Sequence, residues 1–195
     1  MGRVGTVTRT TKETNVEIAI ELDGSGQADI DTGIGFFDHM LNSFARHGLF
    51  DLTAHTEGDL YVDCHHTIED TGIVLGQAIA KAVGDKKSMV RYGSVILPMD
   101  DALVLCAVDL SGRAYLGFDV PIPTERVGEF DTEMVREFFY AVASAAGMNL
   151  HLRLLAGENS HHIIEGCFKA FAKALDQATC LDKRIEEQLS TKGLL

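Results

Sequence analysis

The sequence predicts an α+β fold: a two-layer α/β sandwich built from a duplicated ββαβα half, the two halves packed as one body. Three observations lead there. Strand-period and helix-period apolar patterns follow one another in the order ββαβα twice. The segment HHTIEDTGIVLGQAIAKAV from His65 is answered by HHIIEGCFKAFAKAL from His161, and an internal repeat of this kind governs the architecture. The chain of 195 residues is 46% hydrophobic and 24% charged, a composition that sustains a large packed interior.

Taken in order, period-2 alternation predicts strands near residues 3–10 and 15–22. A helix follows over FFDHMLNSFARHG from Phe36, with Phe37, Met40, Leu41 and Phe44 on its apolar stripe. A strand near 49–55 leads to a second helix after Asp63, read as its N-cap, with Ile68, Gly72, Leu75, Ile79 and Ala82 inward. The second half has strand-like runs at 94–97, 102–109 and 114–120, then a helix from about Asp131 burying Val135, Phe138, Phe139 and Val142. A strand at 149–155 and a helix from about Ser160, burying Ile164, Cys167, Phe168, Phe171 and Leu175, complete it. D-G-S-G-Q at Asp23 matches D-L-S-G-R at Asp109, and Phe36-Phe37 is read as the counterpart of Phe138-Phe139. The halves fall at residues 1–92 and 93–195, each with its helices on one face of a sheet, and the connection around residues 91–94 is too short to be a linker.

A net charge of −12, from 17 basic and 29 acidic residues, excludes a general nucleic-acid or anionic-membrane binder, because either needs a basic footprint. An anionic substrate then requires a local basic pocket. Cys64, Cys106, Cys167 and Cys180 form no C-x-x-C pair, which argues against a disulfide framework or a cysteine zinc site and for a reducing, cytoplasmic setting. The N-terminal stretch has no apolar signal core, and no apolar run approaches the ~20 residues that span a bilayer.

The chemistry is concentrated in the histidines. Two HH-x-x-E units are present, His65-His66 with Glu69 and His161-His162 with Glu165. On a helix the Glu shares a face with either histidine, whereas adjacent histidines diverge by about 100° around the axis. The pairs therefore suit two metals better than one, each taking one His from either helix and one Glu. His39, flanking the first helix's stripe, and His151, alternating with Leu150 and Leu152 in a strand, are placed to supply a fourth ligand each. Imidazole and carboxylate without Cys suits Mn, Fe, Co, Ni or Zn, and open positions favour Mn or Fe. His47, before Gly48 at a helix end, reads as a cationic cap, and His55 as an exposed strand residue.

Several stretches together carry a family resemblance: R-T-T-K-E-T-N-V at Arg9, F-F-D-H-M-L at Phe36, G-D-L-Y-V-D-C-H-H-T-I-E-D-T-G at Gly58 and V-R-Y-G at Val90. Further along are P-M-D-D-A-L at Pro98, D-L-S-G-R at Asp109, R-V-G-E-F-D-T-E at Arg126 and N-S-H-H-I-I-E-G-C-F-K-A-F at Asn159. Over essentially its whole length the chain resembles the imidazoleglycerol-phosphate dehydratases. Cys64 departs from the pattern, standing where the family usually has a second Asp, as does Ser43, where some members carry Gln.

The resemblance implies a lyase of histidine biosynthesis that removes water from D-erythro-imidazole glycerol phosphate to give imidazole acetol phosphate, through a metal-bound imidazolate and a diazafulvene. It implies two Mn2+ per active site, other divalent transition metals being possible, on His39, His65, His66, Glu69, His151, His161, His162 and Glu165. It also implies proton transfer by Glu13 and phosphate binding by Arg91, Arg113, Lys169, Ser190 and Lys192. The assembly implied is a homo-oligomer of 24 subunits in cubic symmetry, with sites between subunits. Two rivals use the same residues: a dinuclear metallohydrolase, whose metals commonly share bridging carboxylates, and a non-catalytic metal store.

Overall fold

The computed structural model describes residues 2–193; Met1 and residues 194–195, the outermost positions of the two expected halves, lie outside them. β1 (Val4–Thr10) and β2 (Thr14–Glu21) form an antiparallel hairpin. β4 (Asp51–Gly58) pairs antiparallel with β2 and parallel with β3 (Ala28–Asp31), giving the order β1-β2-β4-β3. Between and after these strands run α1 (Gly35–Gly48) and α2 (His65–Val83).

The second half repeats the plan with β5 (Tyr92–Met99), β6 (Ala102–Asp109), β7 (Tyr115–Asp119) and β10 (Asn149–Ala156) in the order β5-β6-β10-β7. Its helices are α3 (Met134–Ala146) and α4 (Ser160–Thr179), and a short hairpin of β8 (Arg126–Val127) and β9 (Phe130–Asp131) precedes α3.

Each half is thus βββαβα, one strand richer than the ββαβα pattern, with the β8–β9 hairpin inserted before α3 in the second. The strand missing from the sequence reading of the first half is β3. Its sequence Ala-Asp-Ile-Asp has only Ile30 even partly buried, so this edge strand presents no apolar alternation to detect.

Within a half the two layers arise from ordinary patterning. Val16, Ile18 and Ile20 of β2 point to one side and are fully buried, while α1 buries Phe37, Met40, Leu41 and Phe44. The halves meet helix to helix, α1 on α4 and α2 on α3, so the whole is sheet, helices, helices, sheet. Phe44 stacks on Phe171 with ring centroids 5.4 Å apart, and Phe138 on Phe168 at 5.1 Å. Such pairs contribute about 0.5–1.5 kcal/mol beyond their burial.

The internal symmetry is sharpest where the last helix of each half crosses its edge strand. A Cβ on Gly5 would lie 1.9 Å from the Ala78 carbonyl oxygen, and one on Gly93 would lie 1.8 Å from that of Ala174. Glycine is required at both places because helix backbone touches strand backbone.

Three local readings are corrected. α1 ends on Leu49 and α3 on Gly147, both in the left-handed region at φ 58° and 63°. Counting back from these matched ends, Phe138-Phe139 corresponds to Met40-Leu41 and not to Phe36-Phe37. The N-cap of α2 is Cys64; Asp63 accepts a hydrogen bond from the His65 N–H at 2.8 Å from just outside the helix. At the end of α1 the caps are the Leu49 and Phe50 N–H groups on the Ala45 carbonyl. Burial and then the Lys169 charge push the His47 imidazole's pKa down, against the charged form that a cationic cap requires. Among the described residues no helix is long and apolar enough to cross a membrane.

Candidate metal centre

The N-terminus of α4 is fixed by Asn159, whose side-chain oxygen accepts from the His162 N–H at 3.2 Å. This places His161 and His162 in the first turn and Glu165 one turn on. The packing of α1 on α4 then delivers His39. Ligand atoms of His39, His161 and Glu165 all lie within 4.8 Å of one another. Glu165 Oε2 is 3.3 Å from His161 Nε2 and 3.8 Å from His39 Nε2. Phe36 packs edge-on against His161 with centroids 5.1 Å apart and also against Phe130, giving the cluster an apolar wall.

Glu165 is buried, and its other oxygen, Oε1, is 2.7 Å from Lys169 Nζ. Burial acts to raise its pKa, but the Lys169 hydrogen bond and charge, joined by the His39 and His161 imidazoles, hold it below the ordinary carboxylate value. A carboxylate and two imidazoles converging with sides left open fit a divalent transition metal.

The other sequence-selected ligands lie elsewhere in the chain. On α2, His65 Nε2 is 3.9 Å from Glu69 Oε2. His66 Nδ1 meets both Asp59 carboxylate oxygens at 3.1 Å, and its Nε2 is 3.9 Å from Glu13 Oε2. The Asp59 hydrogen bond raises the His66 pKa. His162 has the matching environment in the second half, its Nδ1 2.6 Å from Asp101 Oδ1 and its Nε2 3.4 Å from Asp100 Oδ2. Asp101 also accepts from the Glu158 N–H at 2.7 Å and the Asn159 N–H at 3.1 Å. The Glu158 N–H first, then His162 and the Asn159 N–H, depress its carboxyl strongly.

His151 is on the exposed face of β10, its ring 5.3 Å from that of Tyr115, while Leu150 and Leu152 point into the core. It is not brought to either HH pair. His55 is an exposed strand residue, 3.3 Å from Asp29.

The five expected phosphate residues divide between two places. Lys169 is with Glu165, its Nζ also 3.3 Å from Met99 Sδ. Arg91 is buried and paired through Nε and Nη2 with Asp109 at 2.7 and 3.1 Å, while its Nη1 donates to the Leu189 carbonyl at 2.7 Å. That bond brings the C-terminal segment with Ser190 alongside, and Ser190 Oγ accepts from the Lys192 N–H at 3.2 Å. Burial and then the Arg91 charge press the Lys86 pKa down, with Asp109 opposing and Arg113 adding to the fall, and the Arg113 N–H donates to Ser111 Oγ at 3.3 Å.

Sequence reading did not select Asp59, Asp100, Asp101 or Lys86. Asp59 follows β4 whereas Asp100-Asp101 forms the β5–β6 turn, in register with Lys12-Glu13, so aligning the repeated halves does not pair them and only the fold brings each to its HH pair.

A model of the imidazoleglycerol-phosphate dehydratase family matches residues 32–175. The chain belongs to the imidazoleglycerol-phosphate dehydratase family. It is 59% identical over 195 residues to the imidazoleglycerol-phosphate dehydratase of Acetivibrio thermocellus, covering 100% of both chains. It is 58% identical over 193 residues to that of Lachnoclostridium phytofermentans, covering 99% of this chain and 98% of the relative. Among solved structures, the Staphylococcus aureus imidazoleglycerol-phosphate dehydratase superposes with a TM-score of 0.83 at 42% identity, over 92% of this chain and 99% of that one. The Pyrococcus furiosus structure gives 0.84 at 38% identity over 97% and 100%. As a member of the imidazoleglycerol-phosphate dehydratase family, the protein is an enzyme, a hydro-lyase.

Proposed function

We propose that the enzyme dehydrates D-erythro-imidazole glycerol phosphate to imidazole acetol phosphate in histidine biosynthesis, with two Mn2+ ions per active site. The observation that carries this reading is the convergence of His39, His161 and Glu165 where α1 packs on α4. The same three residues would hold one metal. His65, Glu69, His66, His162 and His151 are the further donors for a full two-metal set.

When bound, the metals supply Lewis acidity toward the ring nitrogens, which makes the hydroxyl on the neighbouring carbon a feasible leaving group. The chain's own residues do the rest. Glu13, on the turn between β1 and β2 and 3.9 Å from His66, is the group to take the proton from substrate carbon. Asp59 and Asp101 fix the His66 and His162 rings through Nδ1 and leave each Nε2 toward the ligand side. Phe36 keeps water from one side of the cluster. Arg91, Arg113, Ser190 and Lys192, with Lys169, bind the phosphate, Arg through paired donors and Lys as point charge.

The wide separation of the donors within one chain supports a homo-oligomer in which a neighbouring copy completes each site, and 24 subunits in cubic symmetry is the assembly proposed. Tyr61 and Val62, just before the first HH pair, are 91% and 56% exposed, as residues awaiting a partner surface are. Four free cysteines accord with a cytoplasmic location.

Incubating the Mn-loaded protein with imidazole glycerol phosphate tests the reading. Imidazole acetol phosphate should form, and His161→Ala should lose both bound Mn and product, while His55→Ala keeps both. Inorganic phosphate as the product would favour the hydrolase instead, and metal uptake without turnover would leave a metal store.

A further inference from the structure

We propose that Asp70 is a positioning residue: with Arg9 and Thr14 it clamps the β1–β2 turn that carries Glu13 against the first turns of α2. The inference rests on the dehydratase reading only for what Glu13 does, not for the clamp itself.

Asp70 is 7% exposed and Thr14 4%. Asp70 Oδ2 accepts a short hydrogen bond from Thr14 Oγ1 and lies 2.5 Å from Arg9 Nη1 as an ion pair. Thr14 begins β2, immediately after Glu13. The turn is tied on its other side too, because Thr11 Oγ1 accepts from the Glu13 and Thr14 N–H groups at 3.1 and 3.0 Å. The Glu13 carbonyl accepts the Asp59 N–H at 3.1 Å, and Asp59 in turn holds His66. Asp70 thus anchors the base of a turn whose tip reaches the HH pair one helical turn before Asp70 itself.

The second half is an internal control. Arg9 stands opposite Val16 in the first hairpin as Leu97 stands opposite Val104 in the second. Thr14 begins β2 as Ala102 begins β6, and Glu69-Asp70 corresponds to Glu165-Gly166. There the position equivalent to Asp70, Gly166, meets its hairpin through the side chains of Val104 and Met99, while the polar contacts of α4 with that hairpin lie at other positions, His162 on Asp101, Lys169 on Met99 and Gln177 on the Ser94 N–H. At this one position the fold therefore needs no polar side chain on the helix. Replacing an ion pair that has one buried partner by apolar residues is often neutral or stabilising, so stability alone does not require the triad. The difference between the halves is what the turn carries: Glu13 approaches His66 across the gap, whereas the second turn contacts His162 directly through Asp101.

The test grafts the second half's solution onto the first in the full metal-loaded chain. The variant is Arg9→Leu, Thr14→Ala and Asp70→Ala, with Ala in place of Gly to keep helix propensity. Hydrogen exchange of the Thr11 to Thr14 amides should quicken by about tenfold or more while the turn at Asp100 and Asp101 is unchanged. The kcat should fall by about 10- to 100-fold with KM little altered, as for a misplaced reacting group. Adding Glu13→Gln to the graft should then cost little more. Unchanged exchange at the first turn overturns the proposal, as does a graft with the parent kcat or a full further loss on adding Glu13→Gln. Should the graft fail to fold, Asp70→Asn reads the same quantities. If Glu13→Gln alone keeps the parent kcat, the proton-transfer role fails while the exchange result still decides the clamp.

Discussion

Lys169 holds one oxygen of Glu165 at 2.7 Å and leaves the other to His161, 3.3 Å away. The arrangement keeps a buried carboxylate ionised in the face of burial, which acts to raise its pKa. In the metal-free protein a depressed carboxyl contributes stability that is present above its unfolded pKa and lost as pH falls through the folded value. Lys169→Gln removes the opposing cation, so burial then raises the Glu165 pKa and this contribution disappears. The melting temperature of the variant should lie below that of the parent near pH 6, and the gap should narrow as pH falls toward 3. Calorimetry showing a constant gap across that range would falsify the account.

Asp59 and Asp101 hold the Nδ1 atoms of His66 and His162. Asp59→Asn and Asp101→Asn should each weaken Mn2+ binding by about 10- to 100-fold, the usual cost of losing a group that orients a ligand. Titration followed by the Mn2+ paramagnetic signal measures this. Parent affinity in both variants would show that the rings need no such support.

Gly5→Ala and Gly93→Ala each drive a methyl into helix backbone, at Ala78 and Ala174. Overpacking of this kind costs about 1–3 kcal/mol or more. Gly35, at the start of α1, has nothing within 4 Å of an added Cβ, so Gly35→Ala should be neutral or stabilising by up to about 1 kcal/mol. Urea denaturation of the three variants separates these outcomes, and equal midpoints would refute the close approach.

Chelation should shrink the particle if a second copy completes each metal site. Sedimentation before and after exhaustive EDTA treatment reads this directly. A particle of unchanged size would detach metal from assembly.

Truncation after Leu189 retains the carbonyl that Arg91 engages but removes Ser190 and Lys192. Folding and metal content should survive. Each charged hydrogen bond lost to the substrate phosphate should reduce kcat/KM by about 1.5–3 kcal/mol in transition-state binding. A parent value of kcat/KM would take the tail out of the phosphate site and leave that task to Arg91, Arg113 and Lys169.

The sequence by itself determined the duplication, the four helices and their inward faces, and the two HH-x-x-E units. These are legible because helix and strand periodicity are local, and because a repeat such as HH-x-x-E can be seen without coordinates. Strand β3 was not legible, since an edge strand reading Ala-Asp-Ile-Asp carries almost no apolar signal. The equivalence of Phe36-Phe37 with Phe138-Phe139 failed because paired aromatics on two apolar stripes look alike, whereas the helix ends fix the true register. Tertiary structure alone decided which donors meet. His39 reaches Glu165 only because α1 packs on α4, His151 faces outward because its neighbours Leu150 and Leu152 must be buried, and Lys169 sits with Glu165 rather than with Arg91. Nor could spacing reveal that Asp70 is buried against Arg9 and Thr14. Side-chain partners more than a few turns apart in sequence are set by how layers stack, and stacking depends on the whole core at once.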